Sequence, residues 1–359
     1  MIFDRTEQNP GARFIFLLAS LVVVVYGVKF AAPVLVPAAM ALFLAILSLP
    51  VMTFLGRHRV PGWLALTVSI LLNVALFGLV LLLAGASVAQ FQERIPEYAE
   101  SLNALEVIMI RALESRTGLQ IAEPGGPALV NPEFIVGLAR RGVAYSVQFA
   151  STTVLVFIVM SFMLSEATIF PDKIRYLRRG DAPLDERVTR VVDEVQSYLR
   201  IKTAVSAAAG LLLGLWCWFL ELDFPVLLGL TVFILHFVPT VGSILAAVPA
   251  VLLSLVIYGS PGHALAVAGG YLTVSMILGN ILEPQLQGHR LGLSTVVVVL
   301  SLLFWGWAWG PVGALLSVPL TNMLKIWLEN TKDLQWIAVL LDSKAPKMPP
   351  AGGPPHAAP

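Results

Sequence analysis

The sequence predicts an all-α polytopic membrane protein, with about six full transmembrane helices and two interrupted hairpins. Of its 359 residues, 57% are hydrophobic and 13% are charged, which is about half the charged fraction of a soluble domain. The mean hydropathy is +0.83. Several apolar stretches reach the roughly 18 residues that mark a membrane-spanning helix. Two further apolar stretches, in the C-terminal half, are short and broken by proline and glycine.

Six apolar stretches are long enough to cross a hydrocarbon core of about 30 Å. They are residues 14–32, 34–55, 63–84, 147–165, 204–220 and 264–282. No small-residue cleavage site stands out near the first stretch, so we interpret it as a retained helix rather than a signal peptide.

The placement of basic residues predicts the orientation. Lys and Arg are dense between the fourth and fifth spans, and others lie in the loop at 56–59 and in the C-terminal tail. Because cytoplasmic loops carry the excess of basic residues, both termini are expected in the cytoplasm. The glutamate-rich, helically patterned excursion that follows the third span is then outside. Residues 185–200 carry valine and leucine on one face, which predicts an amphipathic helix at the inner surface that anchors the bundle.

These patterns divide the chain into five parts. They are three N-terminal transmembrane helices (1–85), an extracytoplasmic helical excursion (86–146), a transmembrane helix followed by the basic amphipathic helix (147–202), a transport region with both broken hairpins (203–342), and a Pro/Gly/Ala-rich tail expected to be disordered (343–359).

The two broken stretches carry the functional argument. The first is interrupted at Pro239, Thr240 and Gly242 within PTVG, and the second at Gly310, Pro311 and Gly313 within GPVG. Proline removes a backbone donor and disturbs the preceding turn. Irregular backbone at membrane depth is tolerated only where protein or a water-filled cavity satisfies it, so paired breaks indicate a transporter's solute site. The alternative is two ordinary kinked helices packed through Gly and Pro. If the count of crossings holds, the first pair enters from outside and the second from inside, as inverted re-entrant hairpins.

Polar residues near the breaks are the candidate solute-path residues: His236, Ser243, Asn280, Glu283, Ser317 and Thr321. A carboxylate near a bilayer is costly unless it is hydrated or paired, so Glu283 suggests ion or proton coupling, with His289 or Arg290 as a partner. The alternative is an interfacial anion in a wet cytoplasmic loop. Asn280 either hydrogen-bonds a solute or cross-links helices.

Missing motifs bound the function. The sequence contains no phosphate-binding G-x-x-x-x-G-K-[ST] loop, no HExxH or comparable metal-ligand set, and no G-x-S-x-G elbow. We therefore expect no enzyme activity, no cofactor and no metal. The net charge of +1 gives no reason to expect nucleic acid as a partner.

Three segments resemble one known family. HFVPTVGSILAAVPAVLLSLV (236–256), GNILEPQLQGHRLGLSTVVVVLSLLFWGWAWGPVGALLSVPL (279–320) and IAVLL (337–341) look like the AI-2E transporter family. The Trp-Gly-Trp at 305–307 and the Glu-Pro at 283–284 are similar to the branch of autoinducer-2 exporters. The resemblance is specific from 224 to 342 and matches elsewhere in layout only.

The resemblance implies a bacterial inner-membrane carrier that forms a homo-oligomer, a pentamer in this family, and exports a small furanone-type signal used in quorum sensing. Its partners would be a small polar solute and membrane lipids. Because the family also contains proteins assigned to sodium/proton exchange, a cation/proton antiporter using Glu283 and His236 remains an alternative. A non-transporting membrane scaffold or an intramembrane enzyme is the third.

Overall fold

The computed structural model describes residues 10–117, 152–167, 183–239, 241–287, 293–329, 331 and 334–342. Over these residues the chain is almost entirely helical. The helices are α1 (Pro10–Phe30), α2 (Ala32–Arg57), α3 (Gly62–Thr117), α4 (Thr152–Ala167), α5 (Pro183–Phe219), α6 (Pro225–Leu235), α7 (Val241–Tyr258), α8 (Pro261–Gln287), α9 (Thr295–Glu329) and α10 (Gln335–Leu341). The tail 343–359, predicted to be disordered, and the later part of the excursion lie outside the described residues.

By length and composition alone, six helical segments are sufficient to cross a membrane: α2, the first part of α3 (Gly62–Ser87), Val192–Phe219 within α5, α7, α8 and α9, the last of which is interrupted at Gly310. Their outward faces expose large apolar side chains such as Leu71, Leu211 and Trp218, as lipid-facing helices do. The prediction of an all-α polytopic membrane protein is therefore confirmed. These six differ from the six spans predicted from the sequence. They include α7 and α9, which belong to the broken stretches, and they leave out α1 and α4, whose described apolar parts are shorter than 18 residues.

Two helices are longer than the sequence pattern suggested. The third span and the first part of the excursion form one helix of 56 residues, α3, so the boundary predicted after residue 85 lies inside a helix. The amphipathic segment 185–200 and the fifth span are likewise one helix, α5. Residues 200–208 contain neither Gly nor Pro, and a change from an amphipathic to an apolar surface does not itself end a helix.

The first broken stretch forms a helical hairpin, here called the first hairpin (224–258). The α6 helix ends at Leu235, and α7 begins at Val241. The Tyr258 hydroxyl donates a hydrogen bond to the Glu221 carbonyl oxygen at 2.9 Å, so the end of α7 returns to the residues that precede α6. The hairpin is therefore open at 221–225 and 258, and closed at its tip.

The second broken stretch, here called the second hairpin (295–329), also doubles back. Gly310 has φ 67° and ψ −150°, which interrupts α9. The Ser301 hydroxyl donates a hydrogen bond to the Ser317 carbonyl oxygen at 2.8 Å. In a continuous helix, residues 16 apart would be separated by about 24 Å. The two arms of α9 therefore lie side by side, with Gly310 at the tip.

The α5 helix packs against both hairpins. One apolar core joins Leu213 of α5 with Val232 and Ala250 of the first hairpin and with α8. In this core α5 and α6 cross closely, because a Cβ added to Gly210 would lie 2.7 Å from the carbonyl oxygen of Gly229. A second core joins Tyr198 of α5 with α2 and with the second hairpin.

Candidate functional site

The tip of the first hairpin is a tight turn that its sequence requires. Pro239 has no N–H to continue α6, and the Val238 N–H bonds to the Leu235 carbonyl oxygen at 2.9 Å as the helix ends. Gly242 begins the return, and a Cβ there would lie 2.7 Å from the carbonyl carbon of Leu235. Only glycine fits this approach of backbone to backbone. Thr240, predicted to face a solute, lies outside the described residues.

Glu283 is paired with a residue that the sequence analysis assigned to a cytoplasmic basic segment. Lys202 Nζ donates to Glu283 Oε1 at 2.7 Å and to Oε2 at 2.9 Å. The side chains are only 4% and 15% exposed, and Gln287 also donates to Oε1 at 3.1 Å. Glu283 is therefore a paired and mostly shielded carboxylate within α8. The expected partners, His289 and Arg290, lie outside the described residues.

His236 lies beside this ion pair. Its side chain is 4% exposed, and Nδ1 is 3.4 Å from the Ser243 hydroxyl. Its Nε2 is 3.9 Å from Glu283 Oε2 and has no hydrogen-bond partner among the described residues. Buried polar atoms are normally satisfied, so this one needs an explanation. We call Lys202, His236, Ser243 and Glu283 the tip cluster.

A π-helical segment positions Glu283. Residues Met276–Leu282 of α8 form this segment, which ends immediately before the carboxylate. Gly279 lies within it, and a Cβ there would be 3.9 Å from His236 Cε1. A π-helical turn rotates the side chains that follow it and is frequent at functional sites. Asn280 lies in the same segment, but its side chain is exposed, so the structure does not bring it into the tip cluster.

The polar residues predicted in the second hairpin hold its two arms together. The Ser301 hydroxyl contacts the Thr321 hydroxyl, and Trp305 Nε1 donates to Thr321 Oγ1 at 3.0 Å. The Ser317 hydroxyl donates to the Ala314 carbonyl oxygen at 2.8 Å. Ser317 and Thr321 thus hydrogen-bond within their own hairpin.

The tip of the second hairpin uses its glycines and proline differently. Gly310 has a positive φ, which favours glycine, and Pro311 begins the second arm, where no N–H is needed. A Cβ at Gly313 would lie 2.7 Å from Trp309 Cβ. Trp309 Nε1 donates to the Val28 carbonyl oxygen at 3.2 Å, so this tip lies at the C-terminal end of α1.

The long α3 helix contacts the open end of the first hairpin. Arg94 Nη1 and the Tyr98 hydroxyl each donate to Asp223 Oδ2 at 2.7 Å. Burial, together with the Asp223 carboxylate, raises the pKa of Tyr98 above its ordinary value. Asp223 therefore joins α3 to the open end of the first hairpin.

The arrangement offers hydrogen-bonding groups rather than a metal centre. Over the residues described, no group of three or more His, Cys, Asp or Glu side chains is placed to hold a metal ion. The tip cluster presents one ion pair, an imidazole and a hydroxyl beside a break in the helix.

The sequence of the chain is similar to a family of transport proteins. The sequence model described as "AI-2E family transporter" matches residues 18–333. The "AI-2 transport protein TqsA" of Escherichia coli K12 is 37% identical over 92% of this chain and 96% of its own length. The "Putative transport protein YhhT" of the same strain is 34% identical over 95% of this chain and 97% of its own.

A third relative, a "Putative transport protein" of Haemophilus influenzae Rd, is 33% identical over 90% of this chain and 94% of its own length. Matches of this extent cover both hairpins and the helices around them. The chain belongs to the AI-2E transporter family.

Proposed function

We propose that this membrane transporter is a secondary exporter of a small polar organic solute, similar to autoinducer-2, across the bacterial inner membrane without ATP hydrolysis. The observation that carries the proposal is the tip cluster: a buried imidazole with an unsatisfied Nε2, next to a paired carboxylate, where the first hairpin breaks. The name of the similar E. coli protein supports the choice of solute.

The geometry suits a hydroxyl-bearing ligand. His236 Nε2 and Glu283 Oε2 are 3.9 Å apart, so one oxygen atom lying about 2.8 Å from each could bond both. Ser243 adds a further hydroxyl at the same turn. With the charge of the carboxylate balanced by Lys202, these groups fix the orientation of a polyhydroxyl solute without requiring it to carry a charge.

The two hairpins supply a route across the membrane. With cytoplasmic termini, the C-terminal end of α1 is outside, and so are the ends of α5 and α7. The first hairpin then enters from outside, with its tip cluster towards the cytoplasm, whereas the second enters from the cytoplasm and its tip reaches α1 outside. This is an inverted pair of re-entrant hairpins, as in carriers that move one repeat against the other. A homo-oligomer, pentameric as in the family, would hold the scaffold.

Efflux from proteoliposomes tests this function. Vesicles containing the purified chain are loaded with autoinducer-2 or with a panel of small polar metabolites, and release is measured without ATP. We expect release of autoinducer-2 that falls at least about tenfold in His236→Ala, because the ligand loses a positioned hydrogen-bond partner. Well-folded protein that releases none of these solutes would reject the proposal.

The burial of Glu283 favours one second candidate, the cation/proton antiporter, because a buried acid is a usual element of ion coupling. Proton release on addition of sodium to the same vesicles, abolished in Glu283→Gln, would support it. The absence of both solute release and proton exchange would favour a non-transporting scaffold.

A further inference from the structure

The ion pair in the tip cluster joins two helices that are distant in sequence. Lys202 comes from α5 and Glu283 from α8, 81 residues later. The ammonium contacts both carboxylate oxygens, at 2.7 and 2.9 Å. Both oxygens that a bound cation would use are therefore already occupied by a positive group.

Both partners of this ion pair are largely shielded from water. The Lys202 side chain is 4% exposed and Glu283 is 15% exposed, so bulk water and salt provide little screening. A buried carboxylate is normally paired with a counter-ion, and removal of the counter-ion strongly destabilises the folded protein. A monovalent cation about 4 Å from the ammonium would be repelled by it, and would bind on the order of a thousandfold more weakly than in the absence of the ammonium.

Among the described residues, the other neighbours of the carboxylate do not introduce a further fixed anion. Gln287 donates to Oε1 at 3.1 Å, His236 Nε2 lies 3.9 Å from Oε2, and Ser243 contacts His236. The described surroundings of this carboxylate thus comprise one ammonium, an imidazole, an amide and a hydroxyl.

We propose that Lys202 is a built-in counter-ion that takes the place of a coupling cation on Glu283, so that transport by this chain does not depend on sodium or potassium, and that removal of the ammonium creates a monovalent-cation site there. The part of this proposal that concerns flux rests on the proposed function, whereas the part that concerns cation binding does not.

Thermal unfolding of the purified full-length protein in detergent tests the binding part. Midpoints are measured in NaCl, KCl and choline chloride at equal ionic strength. We expect the same midpoint in all three salts for the native chain and for Lys202→Arg, which retains the positive charge. We expect Lys202→Met to be stabilised saturably by sodium or potassium relative to choline. At a concentration 100 times its dissociation constant, the cation should shift the folding equilibrium about a hundredfold.

Matched variants separate a cation site from a general salt effect. The double variant Lys202→Met/Glu283→Gln should lose the response, because no carboxylate remains. Lys325→Met removes another lysine that is paired with carboxylates, Asp342 at 3.0 Å and Glu329 at 3.7 Å. Asp342 is 34% exposed and Glu329 is 46% exposed, so water can solvate both, and a weaker response than that of Lys202→Met is expected.

Three results would overturn the proposal. The first is a saturable sodium or potassium response in the native chain. The second is a response of Lys202→Met no larger than that of the double variant. The third is solute release from vesicles that changes more than about tenfold when choline replaces sodium and potassium. If Lys202→Met fails to fold, Lys202→Gln is measured in its place, since an amide can still donate to the carboxylate. Absence of any release, with the expected unfolding results, would reject the proposed function and retain the built-in counter-ion.

Discussion

Replacing Gly242 by alanine tests the close turn at the tip of the first hairpin. The added Cβ would lie 2.7 Å from the Leu235 carbonyl carbon and closer still to its oxygen. Carbon atoms in ordinary contact are about 3.5–4.0 Å apart. The start of α7 must therefore move by more than about 1 Å from the end of α6, since backbone atoms cannot rotate out of the way as a side chain can.

The expected cost follows from two opposing effects. Overpacking of this kind destabilises by about 1–3 kcal/mol, and alanine in place of glycine inside a helix returns up to about 1 kcal/mol. We expect a net loss of about 1–2 kcal/mol in the free energy of unfolding. The same displacement moves Ser243 and changes its distance to His236. Because a 1 Å displacement of positioned groups is expensive, solute release should fall by roughly tenfold.

Gly269→Ala is the matched control. Gly269 lies within α8, and an added Cβ would have nothing within 4 Å, so this variant should be as stable as the native chain or up to about 1 kcal/mol more stable. The assays are thermal unfolding in detergent and solute release from proteoliposomes. Equal unfolding midpoints and equal release for Gly242→Ala and Gly269→Ala would refute the close turn.

Two further predictions concern the remaining contacts. Thr321→Val leaves Trp305 Nε1 without its acceptor, and we expect a loss of about 1–3 kcal/mol in stability, measured by thermal unfolding with the tryptophan emission recorded; a change below about 0.5 kcal/mol would contradict the hydrogen bond. Asp223→Asn should alter stability by less than about 1 kcal/mol, because the Arg94 side chain is half exposed. The same substitution should lower the pKa of Tyr98, because the Asp223 carboxylate is one of the groups that raise it. A spectrophotometric titration of the phenol, compared with that of Tyr98→Phe, measures this pKa. An unchanged titration would show that the carboxylate does not lie beside Tyr98.

The two breaks could be predicted because their cause is local. Proline lacks an N–H, and glycine tolerates both a close backbone contact and a positive φ. The helical arms are therefore interrupted at the PTVG and GPVG sequences themselves. His236, Ser243 and Glu283 were also identified from their types and their closeness to a break. A hairpin was also predicted at the second break, but local sequence could not show which residues of the two arms of α9 bond to each other, because hydrogen bonds between residues 16 apart depend on tertiary packing.

The partner of Glu283 was missed for a physical reason. Lys202 follows a run of basic residues, and charge density alone assigned it to the cytoplasmic surface. The neighbouring sequence could have indicated the pairing, because Ile201 precedes Lys202 and an apolar stretch begins two residues after it. A lysine at the start of an apolar stretch must either be paired or reach water. The π-helical segment left no such signal, because an added residue in a helical turn is decided by packing around it.

The α5 helix also limits how the molecule can move. Lys202 meets the first hairpin through Glu283 and His236, while Tyr198, one helical turn earlier on the same face, belongs to the apolar cluster with Leu316 of the second hairpin. Both sets of contacts thus lie on a stretch of α5 about 6 Å long. We therefore expect the two hairpins to move together rather than independently, since a displacement of either one along α5 changes the contacts available to the other.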